Sequence, residues 1–241
     1  MKKINKKTVS KPAANQNAEA PKMRTVMLAS PSHDGKVDVW HASALSETCK
    51  IGLVNNINVV AVYMSYDALV QRARNDIIKM AFESKVDDLV FIDCDQDWNP
   101  VDFFKLLSHN VSVVGAPVPK KSDNESYNVK LLGEWKIEDN GLAVIDGIGT
   151  GFMRIRKDAI EKIVENSGVY QEPHKPEPTP NVFEVVVKDG QLISEDITFC
   201  NKWKALGGAI YVDPTINVAH TGVKRWIGNF YDWIKIVSQK R

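Results

Sequence analysis

Short apolar, β-branched runs alternate with stretches of helical periodicity from residue 25 to residue 117, and this alternation restricts the chain more than any other feature. TVMLAS (25–30), INVVAVYM (57–64), DLVFID (88–93) and VSVVGAP (111–117) read as strands. Between them, residues 37–51, 68–84 and 99–109 read as helices, the last with Pro100 in its first turn. Strands that are apolar along their whole length are buried on both faces, which predicts an α/β fold: a mainly parallel sheet flanked by helices.

The second half is less regular. KLLGEWKI and GLAVIDGI read as strands flanking the turn EDNG, FMRIRKDAIEKIVENSG as a strand running into a helix, and FEVVV and AIYVDP as further strands. SEDITFCNKWKALGG reads as a helix with Ser194 at its N-cap. A last amphipathic helix is expected to carry Trp226, Phe230, Trp233, Ile234 and Val237 as a core-facing stripe. Four prolines within 170–181 exclude a regular element there and predict a mobile surface loop.

At 44% hydrophobic and 25% charged residues, the 241-residue chain can bury a core. No apolar run approaches the roughly 20 residues of a membrane span. The basic opening residues have no apolar segment behind them, so no secretory signal is expected. Cys49, Cys94 and Cys200 are dispersed, which argues against a disulfide framework or structural zinc and for a reducing compartment, the cytoplasm. The net charge of +1 hides basic ends: residues 1–24 carry +6 and residues 221–241 carry +4, leaving −9 for the body. Basic ends suit a polyanion such as nucleic acid, or serve only solubility. The expected organisation is a disordered arm over 1–23, one domain over 24–222, and a C-terminal helix within 223–241 packed on it.

Open α/β sheets bind ligands beyond the carboxyl ends of their strands. There the chain has FIDCDQDW, whose Asp93 and Asp95 can face one side as hard oxygen ligands for Mg²⁺ or Mn²⁺, with Cys94 pointing into the fold. An isolated pair of this kind is more often an acidic turn. GIGTGF brings Gly147, Gly149 and Gly151 into a loop that a ligand can approach closely. Glu195 and Asp196 open a helix, where acids also serve the dipole, and His220 closes an apolar strand.

In that order, the DxD, the glycine-rich loop, the ED-bearing helix and the late histidine resemble the GT-A-fold nucleotide-sugar glycosyltransferases. SPSHDGKV, Arg74-Asn75 leading into FIDCD, and VVGAPVPKK are similar to small glycosyltransferases encoded by phages and large viruses. GTGFMRIRKDAI and SEDITFCNKWKALGGAIYVDPTINVAHTG match the second half of the same pattern, so the resemblance spans about residues 24–222. It implies a host cytoplasmic enzyme using Mn²⁺ or Mg²⁺ and a nucleotide-sugar donor, UDP-sugar by default. By position, Asp93 contacts the donor ribose or the metal, Asp95 binds the metal, and His220 is a further metal or diphosphate ligand. Ser30, Pro31 and Asp67 border the nucleobase and ribose, and Arg74 lies near the phosphates or sugar. Gly149 and Gly151 line the boundary of sugar and acceptor, and Glu195 or Asp196 meets the acceptor hydroxyl. The resemblance leaves the acceptor open between a hydroxymethylated pyrimidine in DNA and a glycan, lipid-linked saccharide or protein.

Three other readings compete. A nucleotidyltransferase would carry a glycine- and arginine-rich loop where this chain has SPSHDGK. A haloacid-dehalogenase-type phosphatase would carry its DxD on the first strand. A catalytically silent nucleic-acid-binding module would use the basic ends alone.

Overall fold

The structure, a computed structural model, describes residues 23–239. The arm predicted over 1–23 therefore lies, except for Met23, outside the described residues. In chain order the elements are β1 (Arg24–Ser32), α1 (Val39–Val54), β2 (Ile57–Ser65), α2 (Val70–Glu83), β3 (Asp88–Ile92), β4 (Gln96–Trp98), α3 (Pro100–Ser108) and β5 (Val113–Gly115). Then follow β6 (Val129–Leu131), β7 (Ala143–Ile148), β8 (Phe152–Arg156), α4 (Lys157–Glu165), β9 (Val169–Tyr170), β10 (Thr179–Pro180), β11 (Val186–Lys188) and β12 (Gln191–Ile193). The chain ends with α5 (Glu195–Ala205), β13 (Ile210–Val212), β14 (Val218–Thr221), β15 (Arg225–Trp226) and α6 (Phe230–Ser238).

The central sheet has eight strands in the order β2-β1-β3-β8-β5-β13-β7-β6. β8 and β7 run against the other six, so the sheet is mixed and mainly unidirectional, as expected. Strand alternation feeds two cores. Met27, Ala29, Leu89 and Phe91 pack on the side of α2, α4 and α5, while Val26, Leu28, Val90 and Ile92 pack on the side of α1 and α3. Helix starts follow local chemistry: Asp38 accepts from Trp40 N at α1, and Asn99 accepts from Val101 N at α3, with Pro100 where no N–H is needed.

The less regular half departs from expectation in four places. KLLGEWKI contributes only Lys130 and Leu131 to the sheet: the ladder shifts register between them, and Gly133 turns left-handed (φ 68°). FEVVV contributes only Val186 and Val187, in a hairpin of β11 with β12. Trp226 lies on β15, opposite His220, rather than on the last helix; α6 itself buries Phe230 and Ile234 against Tyr127.

The Pro-rich segment 170–181 is the fourth. Its ends pair as β9 and β10, and ion pairs strap it to α2. Lys175 Nζ lies 2.6 Å from both carboxylate oxygens of Asp76, and Lys79 Nζ donates to the Pro178 carbonyl at 3.1 Å. Proline cannot donate a ladder hydrogen bond, but the charged side chains between the prolines are able to hold the chain.

Candidate functional site

The carboxyl ends of β1, β2 and β3 open into a cavity of about 320 Å³. Pro31, Asp67, Arg74, Asp93, Asp95 and His220 line it together, joined by Ser32, His33, Met64 and Cys94, which the sequence did not single out as site residues. Ser30 does not line it: this serine is fully buried and its hydroxyl has no hydrogen-bond partner. Cys94 was expected to point inward and instead faces the cavity, half-buried, with burial pushing its thiol pKa up. The alternation that predicted otherwise stops at Ile92, where β3 ends, and Asp93 to Gln96 is a turn closed by Gln96 N on the Asp93 carbonyl at 3.1 Å.

Arg74 is a buried clamp. Its guanidinium donates to Asp93 Oδ1 at 3.1 Å and to Glu195 Oε1, joining α2, the end of β3 and the first turn of α5. The neighbouring Asn75 is also buried. It accepts from the backbone N–H groups of Val182 and Phe183 and donates to the Phe183 carbonyl at 2.8 Å. The Arg-Asn pair thus anchors the segment leading to α5.

Asp95 and His220 meet although 125 positions separate their numbers. β14 pairs with β4, setting His220 opposite Gln96, and Thr221 N donates to the Asp95 carbonyl at 2.8 Å. His220 Nδ1 lies 2.9 Å from the Pro119 carbonyl, which can only accept, so Nδ1 carries the hydrogen and Nε2 faces Asp95 Oδ1 at 3.4 Å. Lys121 Nζ lies 2.5 Å from Asp95 Oδ2. Burial works to raise the Asp95 pKa, but the hydrogen bonds from His220 and Lys121 outweigh it and hold it at about 2.

The glycine turn between β7 and β8 connects the two acidic groups. A Cβ on Gly151 would run into the Gln96 amide and come within 3.2 Å of Asp93 Oδ2. A Cβ on Gly149 would run into Asn128 and come within 3.3 Å of Asp196 Oδ2. Bare backbone therefore leads from Asp93 to Asp196. Gly147 serves packing instead, since its Cβ would meet Ile197 Cδ1 at 2.8 Å. Ser194 stands at the N-cap of α5 but makes no capping bond; its hydroxyl donates to Asp196 Oδ1.

Asp67 is held in a fork by Arg72, with both contacts at 2.8 Å. Arg72 in turn lies 3.8 Å from Glu172 of the Pro-rich segment, so that segment is tied to the cavity wall.

A larger concavity of about 630 Å³ lies at the opposite ends of the strands. Arg24, Asp88 and Arg154 pair there, its cations and acids balance, and it contains none of the predicted site residues. Among the described residues, no group of three or more His, Cys, Asp or Glu is drawn together as a metal site by itself, and no helix is long and apolar enough to cross a membrane.

No family model matches the chain, and no curated protein matches it. Among solved structures it is similar to A197 from STIV, at 23% identity over 83% of this chain and 86% of that one, with a TM-score of 0.54. That likeness shows a shared fold. It is also similar to a glycosyltransferase involved in the glycosylation of the major capsid of PBCV-1 (19% identity, 58% and 64% of the two chains, TM-score 0.34). A putative nucleotide-diphospho-sugar transferase from Desulfovibrio desulfuricans G20 follows (10% identity, 78% of each chain, TM-score 0.37). The last two overlap too loosely to carry an argument.

Proposed function

We propose that this chain is a metal-dependent glycosyltransferase that moves a sugar from a nucleotide-sugar donor, a UDP-sugar first, to an acceptor hydroxyl. One observation carries this reading: Asp67, Arg74, Asp93, Asp95 and His220, from separate stretches of the chain, line one cavity at the carboxyl ends of the strands.

Asp95 and His220 would hold Mn²⁺ or Mg²⁺, with Asp93 beside them toward the ribose or the ion. The donor set suits it: a carboxylate, and an imidazole whose other nitrogen is fixed by a backbone carbonyl. Two protein ligands leave positions for phosphate oxygens. Such an ion neutralises charge on the departing diphosphate.

In the reaction the acceptor oxygen bonds to the anomeric carbon. The sugar–phosphate C–O bond breaks, and its electron pair leaves with the nucleoside diphosphate. The hydroxyl proton passes to Asp196, whose Oδ2 is turned toward the Gly149 backbone; attack from the sugar face opposite the diphosphate would invert the anomeric configuration. Glu195 and Arg74 are committed to each other and act as positioning residues. Pro31 and Asp67 border the nucleobase and ribose.

The acceptor we propose is a hydroxymethylated pyrimidine in DNA, on the support of the basic ends. A glycan, lipid-linked saccharide or protein hydroxyl is the alternative, and a binding module without turnover is the alternative of another class. A thermal-shift screen of UDP-, GDP-, CMP- and dTDP-sugars with and without Mn²⁺ tests the donor site. Stabilisation that requires one nucleotide and the metal together is expected. Stabilisation by DNA alone, with no donor turnover, would favour the binding module.

A further inference from the structure

Lys121 is fitted into the site by more than its contact with Asp95. Its stem runs past Gly222, where a Cβ would lie 3.2 Å from Lys121 Cδ, 3.4 Å from Cε and 3.0 Å from the Trp226 ring. A bare backbone at 222 leaves the lane that the lysine stem and the indole share. The loop carrying Lys121 is also docked to the strand carrying His220 and to the turn that follows it. The Pro119 carbonyl accepts from His220 Nδ1 at 2.9 Å, and in the turn Lys224 pairs with Asp123. Within the loop, Lys120 N donates to the Ser126 carbonyl at 2.8 Å.

An ammonium group 2.5 Å from Asp95 Oδ2 stands where a divalent cation would seek the same carboxylate. Two cations on one carboxylate repel each other, and a further anion offsets that repulsion. A nucleoside diphosphate supplies that anion: its phosphate oxygens give the ammonium a second partner and add ligands for the metal.

We propose that Lys121 guards Asp95, its ammonium competing with a divalent cation for the carboxylate until a diphosphate draws it away, so that metal and nucleotide bind synergistically. The inference rests on the metal site proposed above. It adds a residue that sets the order of loading: an ion is held weakly by the empty enzyme and firmly only with donor present. After release the lysine pairs with the diphosphate, and so also stabilises the leaving group.

The test is direct Mn²⁺ binding to the full chain, read from the loss of the free-ion electron paramagnetic resonance signal, with and without UDP. Lys121→Met is expected to bind Mn²⁺ about tenfold more tightly than wild type in the absence of UDP, the release of one charge-assisted hydrogen bond. With UDP present the gain is expected to vanish or reverse, and Lys121→Arg should behave as wild type in both conditions. Lys121→Met binding Mn²⁺ no better than wild type without UDP would overturn the proposal. Asp95→Asn separates the two levels. If it loses Mn²⁺ while Lys121→Met changes nothing, the metal site stands and only the guarding role falls. If it keeps wild-type Mn²⁺ affinity with UDP, the metal placement falls and the guarding role with it. Equal melting temperatures across the variants verify that each is folded.

Discussion

Arg74 on α2 and Glu195 on α5 meet as an ion pair whose side chains are only 7% and 13% exposed, across 121 residues of sequence. The pair fixes the first turn of α5 against α2, and so fixes Asp196, the next residue, toward the glycine turn. One acid is spent on architecture, which leaves its neighbour for chemistry.

The two acids should therefore fail differently. Glu195→Gln leaves Arg74 undercompensated in a buried setting and is expected to cost about 3 kcal/mol, read as a lower urea midpoint. Asp196→Asn should leave the midpoint unchanged and lower turnover by about 10²- to 10⁴-fold. An unchanged midpoint in Glu195→Gln would refute this division.

Gly151→Ala forces a methyl group against the Gln96 amide and Asp93. Overpacking there is expected to cost about 1–3 kcal/mol and to weaken UDP binding, followed by calorimetry. Gly168→Ala is the control: a Cβ there meets nothing within 4 Å, and stability and UDP affinity should hold.

Asn75→Ala strands the Val182 and Phe183 amides and the Phe183 carbonyl inside the fold. A loss of about 3 kcal/mol is expected from buried groups left unpaired, measurable by chemical denaturation. A loss below about 1 kcal/mol would mean that the 182–183 backbone finds other partners.

Asp213, just after β13, is buried, which by itself raises a carboxyl pKa. Hydrogen bonds from His109, Thr215 and Lys105 nevertheless hold it below the ordinary 3.8. A carboxylate depressed in the folded state contributes stability that is fully present above its unfolded pKa and disappears as pH falls through the folded one. The melting-temperature gap between wild type and Asp213→Asn should stay level from neutral pH down to about 4 and close below it. A gap that ignores pH would remove the ionised form from the account.

Removing residues 1–23 takes away six of the seven basic side chains among residues 1–24. If DNA is the acceptor, turnover on long DNA should fall and its dependence on salt should flatten. Identical salt profiles would take these residues out of acceptor binding.

The sequence made the sheet legible because β1 and β3 carry unbroken apolar runs, Val26–Ala29 and Leu89–Ile92, a pattern that a strand covered on both faces tolerates. The acidic turn, the glycine turn and His220 were legible as types in order, but not their contacts. Trp226 was misread because its spacing to Phe230 mimics a helical stripe, while Gly228 and Asn229 between them break the helix. Lys121 closes the VVGAPVPKK segment, but its role was not legible, since its partner lies 26 residues away across a loop. The strap at 170–181 was hidden likewise: Lys175 and Asp76 are 99 residues apart.

The pairing of β14 with β4 makes the site sensitive to length rather than to composition. Adding or removing one residue between Val218 and His220 would turn the imidazole to the opposite face of the strand, away from Asp95. Such a chain would keep the acidic turn, the glycines, the ED helix and the histidine, and lose the place where they meet. Two sequences matching in every motif could thus part in activity by a single insertion.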